Sequence, residues 1–374
     1  MKEMKQYTIA EICSRLSSGK GIPASKVTPT GPYPVIGGNG VRGYTDSFNF
    51  DGECAIIGRQ GANCGNVRYF QGKAYMTEHA IVAIGNENAN TKYLACLFSL
   101  MHLGNLSAQS AQPGLSVQTL SKQIIYLPEI STQNQIADII KSLDKKIELN
   151  NRINHNLEEQ AQALYKSWFV DFEPFKDGKF VESELGMIPE GWRVGQLSEI
   201  AKITMGQSPS GTSFNEDGNG IVFYQGRTEF GFRFPSIRLF TTEPTRYAEP
   251  DSVLLSVRAP VGDVNIASQR CCIGRGLASI ESISGNSSFI LYTILSLRST
   301  LDRYNGEGTV FGSVNRKELE SLSVIIPPEN IQNRFEQIAS TLDEEIKSKS
   351  KELNQLSESR DSLLPRLMSG EITC

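Results

Sequence analysis

The sequence is poor in the residues from which most catalytic and metal sites are built. It has only three histidines, His79, His102 and His155, and none of them stands at a metal-ligand spacing. It also contains no G-x-S-x-G, H-E-x-x-H or N-P-P-Y/F string. No catalytic constellation and no metal site can therefore be assigned, and each histidine is interpreted as structural.

Cysteine pairs and long apolar runs are also missing. The seven cysteines form no C-x-x-C pair, which indicates reduced, mostly buried thiols, and we expect at most one of the adjacent Cys271 and Cys272 in the core. The longest apolar run, Phe289–Leu295, is much shorter than the roughly 18 residues of a membrane span. The N-terminus also lacks the apolar core of a signal peptide. We expect a cytoplasmic protein with no membrane association.

Charge is unevenly distributed along the chain. The net charge is −4 overall, but it is +4 for residues 1–127, −5 for 128–191, 0 for 192–326 and −3 for 327–374. Residues 192–326 contain eleven arginines and only two lysines. This bias is typical of planar, bidentate contacts to guanine edges or phosphates, although an ordinary arginine-rich surface is an alternative.

Two long helices are predicted from a repeated apolar seam. Apolar residues at steps of three and four begin near Gln133 and recur 199 residues later, as in a coiled coil. The seam residues are Ile136, Ile140, Leu143, Ile147, Leu157 and Leu164 in the first copy and Phe335, Leu342, Ile346, Leu353, Leu356 and Leu363 in the second. A helix of roughly 35 residues is about 50 Å long, which exceeds what one domain core needs. The helices therefore resemble spacers.

The repeat extends to polar residues outside the apolar seam. Gln133, Asn134 and Asp144 recur at the same offset as Gln332, Asn333 and Asp343. Identity at polar as well as apolar positions indicates duplication. We predict the helix starts from a capping box of Thr132 with Gln135 and from Asn330 as an N-cap.

Residues 1–127 and 192–326 are predicted to be two β-rich domains of one plan. Similar sequence segments recur in the two domains; for example, YTIAEICSRLSSGK in the first resembles VGQLSEIAKITMGQSPSG in the second. The first domain contains two glycine-rich loops, Gly37–Gly43 and Gly58–Gly65, which could bring basic and amide side chains close to a phosphate or base edge. Ordinary hairpin turns are the alternative. Asn90 is the expected cap of a short helix, TKYLACLFSLMH.

The aromatic joint at residues 170–191 carries a family resemblance. Its prolines and glycines are expected to prevent a regular element, while its aromatic residues pack against the helices. The stretch SWFVDFEPFKDGKFVESELGMIPEGW, together with the two helix copies, resembles the DNA-specificity subunit of type I restriction-modification systems, the HsdS family. The resemblance covers the whole chain: domain 1–127, helix 128–169, joint 170–191, domain 192–326 and helix 327–374.

The resemblance implies an α+β fold and a bipartite DNA reader. Two mixed, β-rich target-recognition domains would be separated by two long helices that form an antiparallel coiled coil, with an internal pseudo-twofold repeat. Each domain would read one half of a split double-stranded DNA sequence, and the helices would set the spacer. Two methyltransferase (M) subunits and the restriction (R) subunits would dock on this chain. S-adenosylmethionine, ATP and Mg would be bound by those partners and no cofactor by this chain, which is not an enzyme by itself.

Candidate DNA contacts follow from the glycine-rich loops and the arginine content. The basic candidates are Arg42, Arg59, Arg68, Arg227, Arg233 and Arg258, and the amide candidates are Asn39, Gln60, Gln207 and Gln225. Two other classes of function stay open. One is a structural coiled-coil adaptor without DNA binding, and the other is a hydrolase or transferase hidden in the β-rich domains. The acidic helices are interpreted as partner-docking faces, with plain solvated faces as the alternative.

Overall fold

The structure, a computed structural model, describes residues 4–107, 114–305 and 312–372. The chain forms two compact units. Unit 1 comprises Met1–Glu148 with Asn354–Cys374, and unit 2 comprises Leu149–Leu353. Each unit therefore contains one β-rich domain and part of each long helix.

Unit 1 contains a six-stranded sheet and a separate pair of strands. Its strands are β1 (Lys5–Thr8), β2 (Cys13–Ser18), β3 (Tyr33–Gly37), β4 (Gly40–Thr45), β5 (Phe50–Gly58), β6 (Val67–Met76), β7 (Ala80–Gly85) and β8 (Ile124–Leu127). Its short helices are α1 (Ile9–Ile12), α2 (Thr91–Leu100) and α3 (Val117–Ser121). The sheet order is β2-β7-β5-β6-β3-β4, with β3 and β6 parallel, while β1 and β8 form a separate antiparallel pair.

Unit 2 repeats this plan with a four-stranded sheet, a five-stranded sheet and two separate antiparallel pairs of strands. Its strands are β9 (Phe180–Ser183), β10 (Gly186–Pro189), β11 (Arg193–Gln196), β12 (Ala201–Met205), β13 (Phe214–Asn215), β14 (Ile221–Tyr224), β15 (Leu239–Thr241), β16 (Tyr247–Ala248), β17 (Val253–Ser256), β18 (Val264–Ile266), β19 (Cys271–Ile273), β20 (Leu277–Ser282) and β21 (Ser323–Ile326). Its short helices are α5 (Ser287–Ser296), α6 (Arg298–Asp302) and α7 (Arg316–Glu320). The sheet orders are β12-β20-β17-β18 and β13-β15-β14-β19-β16, and β14 and β19 are parallel, while the separate antiparallel pairs are β9–β10 and β11–β21.

The long helices are α4 (Ile130–Phe169) and α8 (Glu329–Met368). Both begin before the predicted caps, so Thr132 and Asn330 lie inside the first turn. The carbonyls of Glu129 and Pro328 accept the first helical hydrogen bonds, from Thr132 N–H (3.0 Å) and Ile331 N–H (2.9 Å). The capping prediction is wrong because α4 already begins at Ile130 and α8 at Glu329, so the predicted cap residues are part of the helices. Short 3-10 helices lie at Ala24–Lys26, Leu103–Leu106, Glu173–Phe175, Leu197–Glu199, Gly211–Ser213, Arg227–Glu229 and Arg303–Asn305.

Side-chain alternation buries both faces of the central strands. In β5, Ala55 and Ile57 face a cluster shared with α2, whereas Cys54 and Ile56 face a second cluster. In β19, Cys271 and Cys272 are both fully buried, because the strand lies between β14 and β16 and is covered on both faces. The expectation of at most one buried cysteine there is wrong. All six cysteines in the described ranges are free thiols, as predicted.

Repeated polar residues fasten the domain of unit 1 to α4. Gln133 is fully buried; its Oε1 accepts from Asn90 N–H (3.0 Å) and its Nε2 donates to Pro128 O (2.9 Å). Asn90 caps α2, as predicted, by accepting from Tyr93 N–H (3.0 Å), and its Nδ2 donates to Asn134 Oδ1 (2.8 Å). One asparagine therefore connects the domain helix to the long helix.

Asp144 links the domain of unit 1 to both long helices. It pairs with the buried Lys92 of α2 and, at 3.3 Å, with Arg360 of α8. The apolar core of the unit includes helix residues from both segments: Ile136, Ala137, Ile140, Leu367 and Met368.

The long-helix segments of unit 2 run antiparallel. Asn154 Nδ2 donates to Ser350 Oγ (3.3 Å). Trp168, which comes later in α4, packs against Phe335, which comes earlier in α8, with their ring centroids 6.1 Å apart. Every predicted seam residue in both helices is buried or partly buried, and two polar residues of α4, Asn150 and Asn154, are buried as well. Lys349 pairs with Glu345 and Glu352 of its own helix.

The joint forms a hairpin and an aromatic cluster within unit 2. The expectation that its glycines and prolines prevent a regular element is wrong, because β9 and β10 pair and Gly186 (φ 98°) supplies the left-handed turn residue. The expected aromatic packing is present. Ring centroids lie 5.0 Å apart between Phe175 and Trp192, 5.8 Å between Phe169 and Trp192, and 5.1 Å between Phe169 and Phe335.

The predicted α+β class is confirmed, with two mixed, β-rich domains and two long helices. The five boundaries drawn from the sequence stay a prediction. Within the described ranges, no helix is long and apolar enough to cross a membrane.

Candidate nucleic-acid interface

The two glycine-rich loops of unit 1 meet where β3 and β5 end and β7 begins. A Cβ on Gly38 would lie 3.3 Å from Gly58 Cα and 2.9 Å from His79 O, so the backbones are in contact there. Arg59 N–H donates to His79 O (3.0 Å). The loop after β3, the loop after β5 and the β6–β7 turn therefore form one loop cluster. The segment after β2 joins it, because Lys20 N–H donates to Met76 O (2.9 Å), and we call the whole group cluster 1.

Arg42 and Arg68 stand at the edge of cluster 1. A Cβ on Gly40 (φ 105°) would lie 2.2 Å from Arg68 Nη1, and a Cβ on Gly37 would lie 2.8 Å from Arg42 Cδ. Both arginine side chains therefore lie against the loop backbone, and the positive φ of Gly40 favours glycine at that position. Both arginines are exposed, and neither is ion-paired with a carboxylate in the described ranges. Their charges are available to a phosphate or a base edge.

The other candidates of unit 1 lie in the same cluster but differ in exposure. Asn39 and Gln60 are exposed, and Gln60 Oε1 lies 3.1 Å from His79 Nδ1. Arg59 is half-buried; its carbonyl accepts from Leu115 N–H (2.8 Å) and its Nη1 donates to Glu78 O (3.4 Å). Arg59 therefore stabilises the backbone of the cluster, whereas Asn39 presents its side-chain amide and Gln60 presents the Nε2 amino group of an amide whose oxygen contacts His79.

Unit 2 contains a loop cluster of the same construction, formed by the segments after β12, β14 and β17 and by the β19–β20 turn, and we call it cluster 2. The same pair of backbone hydrogen bonds occurs in both units: Gly19 N–H to Ala80 O (3.0 Å) and Lys20 N–H to Met76 O (2.9 Å), against Gly206 N–H to Leu277 O (2.9 Å) and Gln207 N–H to Ile273 O (3.0 Å). Both glycines are forced by close approach, since a Cβ would lie 2.1 Å from Met76 O or 2.2 Å from Gly274 O. Lys20 and Gln207 are therefore equivalent positions.

Two further pairs of candidates are equivalent between the clusters. In the parallel strand pairs, Ile36 lies opposite Met76 in unit 1 and Tyr224 lies opposite Ile273 in unit 2, so Ile36 and Tyr224 are equivalent. Asn39 and Arg227 each follow these residues by three positions and therefore correspond. An isolated antiparallel bridge joins Gln60 to Gly114 in one unit and Arg258 to Ser313 in the other, which aligns Gln60 with Arg258. The frame is the same, whereas the side chains it presents differ in charge and hydrogen-bonding groups.

Cluster 2 brings together Gln207, Gln225, Arg227 and Arg258, all of which are exposed. Gln225 lies against the β19–β20 turn, because a Cβ on Gly274 or Gly276 would come within 2.9 Å of its backbone. Arg227 is ion-paired with Asp263, so part of its charge is already neutralised.

Arg233 is not part of this surface, which corrects its prediction as a DNA contact. It is only 5% exposed, and its guanidinium lies 3.4 Å from Glu158 Oε2 on α4 and 3.3 Å from Asp343 Oδ1 on α8. It also donates to Tyr292 Oη (3.1 Å). Burial acts to lower the pKa of Arg233, but the Tyr292 hydroxyl and the two carboxylates raise it overall, so the side chain stays charged. Its function is to hold the domain of unit 2 to both helices.

Two exposed basic residues of the clusters were missed by sequence reasoning. Lys20 lies in cluster 1, and Arg275 lies in the β19–β20 turn of cluster 2, where its N–H donates to Ser208 Oγ (3.3 Å). Aligning SSGK with TMGQ pairs Lys20 with Gln207, so the sequence repeat contained the signal for Lys20. Arg275 had no such signal, because its turn differs in sequence from the β6–β7 turn.

The described part of the chain holds no group of three or more histidine, cysteine or acidic side chains able to bind a metal ion. Burial raises the pKa of the Cys54 and Cys271 thiols to about 12, so both are inert at neutral pH. The polar chemistry of the loop clusters is that of donors and acceptors presented to a ligand.

The sequence matches a family of known proteins, and the fold matches a solved structure. The family described as type I restriction modification DNA specificity domain matches residues 1–159 and 189–358. A Methanocaldococcus jannaschii protein assigned as the type I restriction enzyme MjaX specificity subunit is 37% identical over 259 residues, covering 68% of this chain and 61% of that protein. The type I restriction enzyme HindI specificity subunit of Haemophilus influenzae is 27% identical over 335 residues, covering 70% and 71%.

The fold is also that of a solved relative. The crystal structure of the type I restriction-modification system S subunit from M. genitalium superposes with a TM-score of 0.70 at 17% identity, covering 98% of this chain and 96% of that one. The alignment with the MjaX protein spans less than two thirds of that protein's length. The specificity subunits of this family are non-catalytic components of their complexes. With its family domain matched twice, once in each half, this chain belongs to the type I restriction-modification DNA specificity family.

Proposed function

We propose that the chain is the sequence-reading subunit of a type I restriction-modification complex, and that each unit recognises one half of a bipartite DNA target. The observation that supports this most directly is the duplicated loop cluster. One backbone frame presents Lys20, Asn39 and Gln60 in unit 1 and Gln207, Arg227 and Arg258 in unit 2. A shared frame with different polar side chains is what two readers of different half-sites require.

Electrostatics supports the same proposal. Residues 1–127 carry a net charge of +4, and the exposed Arg42 and Arg68 have no ion-pair partner in the part of the chain that the structure describes. Unpaired arginines beside a loop backbone are suited to phosphates, whose neutralisation releases counterions and strengthens binding. In cluster 2, Arg258 and Arg275 are also exposed.

The partners are proposed from the family and from the acidic helical segments. Residues 128–191 and 327–374 carry net charges of −5 and −3, which DNA would repel. We infer that these faces dock two methyltransferase (M) subunits, and that restriction (R) subunits join the complex. S-adenosylmethionine, ATP and Mg would be bound by the partners, and the complex would act on DNA in the cytoplasm.

The test is methylation in cells. The chain is expressed with its cognate methyltransferase subunit, and methylated adenines are located by sequencing. The proposal predicts methylation at one split sequence, dependent on this chain, and no methylation by the chain alone. Methylation that is independent of the chain, or a complex that shows no DNA binding, would favour a structural adaptor instead.

The DNA-facing side of unit 1 is tested by salt dependence. If Arg42 and Arg68 contact phosphates, alanine at either position should lower affinity for all sequences and reduce the salt slope of binding by about one. Lys122→Ala is the matched control, because that exposed lysine ends α3, outside cluster 1. Equal slopes for all three variants would mean that another face of the unit meets DNA.

A further inference from the structure

One position of the loop clusters has opposite charge in the two units. The β6–β7 turn and the β19–β20 turn are built alike: Ala80 N–H donates to Thr77 O (3.0 Å), and Leu277 N–H donates to Gly274 O (3.0 Å). Both turns follow the parallel strand pair and begin with the same backbone hydrogen bond. Thr77 N–H donates to Ile36 O (2.9 Å) in unit 1, and Gly274 N–H donates to Tyr224 O (2.8 Å) in unit 2. These bonds align the residues at the turn tips, Glu78 in unit 1 and Arg275 in unit 2.

Arg275 has the freedom that base reading requires. The side chain is exposed, and it is not ion-paired in the described ranges of the chain. The turn beneath it is fixed by two contacts: its own N–H donates to Ser208 Oγ (3.3 Å), and Gly274 packs on Gln225. A guanidinium on a fixed backbone can donate two hydrogen bonds to guanine O6 and N7.

Glu78 has the complementary chemistry. Its side chain is 44% exposed, and Oε1 lies 3.2 Å from His79 Nε2. Its Oε2 is shielded from water beside Gly21 and accepts no hydrogen bond within the described ranges. The exposed part of the carboxylate would repel a phosphate, because both groups are negative. It can accept a hydrogen bond from the exocyclic amino group of cytosine, which donates to carboxylates in the major groove.

We propose that the turn tip is a specificity-determining position in both units, and that Arg275 recognises guanine while Glu78 accepts from the N4 amino group of cytosine. This inference rests on the proposed DNA-reading function. Each unit would then read one G·C pair at the turn tip, through opposite members of the pair. The duplicated frame thus changes its reading by exchanging a single side chain.

The test uses the full chain assembled with its methyltransferase subunit. The wild-type target is first determined by sequencing methylated adenines, and each half-site is then randomised one position at a time. Arg275→Ala should lower the preference for guanine by roughly 5- to 150-fold at one position of one half-site, with the other half-site unchanged. Arg275→Lys, which keeps the charge but loses the bidentate geometry, should recover only part of it. Glu78→Gln should lose cytosine preference at one position of the opposite half-site and gain adenine there.

The controls separate this inference from the proposed function. Arg316→Ala, an exposed arginine on α7, should leave both half-sites unchanged. If Arg275→Ala weakens every sequence equally, Arg275 is a phosphate contact and the inference is overturned. Unchanged preferences in both the Arg275 and Glu78 variants would overturn it as well. A wild-type complex without sequence preference would overturn the proposed function, and this inference with it.

Discussion

Arg233 is expected to be among the most important single side chains for the stability of unit 2. It joins three helices, because its guanidinium contacts Glu158 on α4 (3.4 Å), Asp343 on α8 (3.3 Å) and Tyr292 on α5 (3.1 Å). The perturbation is Arg233→Met, which keeps an unbranched apolar stem but removes the charge. Both carboxylates then lose their shared counter-charge.

The expected loss follows from the burial of the three charges. Removing one partner of a buried ion pair costs about 3–5 kcal/mol, because the remaining charge is stranded in a poorly hydrated site. Arg233 is 5% exposed, but Glu158 and Asp343 are 17% and 20% exposed, so water partly screens them. We therefore expect Arg233→Met to lower the free energy of unfolding by about 2–4 kcal/mol.

The assay is urea unfolding of the full chain, with Arg316→Ala as the matched control. That exposed arginine makes an i,i+4 pair with Glu320, whose loss should cost about 0.5 kcal/mol or less. Adding Glu158→Gln and Asp343→Asn to Arg233→Met should restore part of the loss, because no charge is left stranded. If Arg233→Met costs no more than the control, or if the triple variant is the least stable, the charge argument is refuted.

Three further outcomes are expected. Gly206→Ala should destabilise cluster 2 by about 1–3 kcal/mol and weaken one half-site, because the new Cβ would lie 2.2 Å from a carbonyl oxygen, whereas Gly211→Ala, where a Cβ meets open space, should not. Matched seven-residue insertions after Leu149 and Ser348 add about 10 Å to each helix, so the spacer preferred in a methylation library should lengthen by about three base pairs; an active variant that keeps the original spacer would show that the helices do not set it. Burial raises the pKa of Cys271 to about 12, so this thiol is protonated at pH 8, and peptide mass spectrometry should find it alkylated only after denaturation; alkylation of the native chain would contradict its burial.

The sequence predicted the helices and the repeat because both leave local, periodic signals. The apolar seam defines the helix faces, and the repeated Gln133 and Asp144 coincide with the contacts that fasten the domain of unit 1 to α4. The aromatic joint was expected to pack, and it does. Its hairpin was missed because Gly186, which follows the two-residue β9–β10 turn, was interpreted as a breaker together with the other glycines and prolines of the joint.

The candidate DNA contacts could be predicted only in part, because the exposure of a side chain depends on residues distant in the chain. Arg42 and Arg233 follow similar glycine-containing stretches, yet Arg42 lies free beside Gly37, whereas Arg233 is buried between Glu158 and Asp343. No local pattern distinguishes the two. The structural equivalence of Glu78 in unit 1 and Arg275 in unit 2 likewise depends on backbone hydrogen bonds between separate strands.

The most direct test of the account is a domain exchange. Residues 192–320 are replaced by the equivalent segment of a relative with a different target, and methylated adenines are sequenced in cells that also express the methyltransferase subunit. The account predicts that one half-site changes to that of the relative, while the other half-site and the spacer are retained. A change in both half-sites, or retention of the original target, would contradict the claim that each unit reads its own half of the DNA sequence.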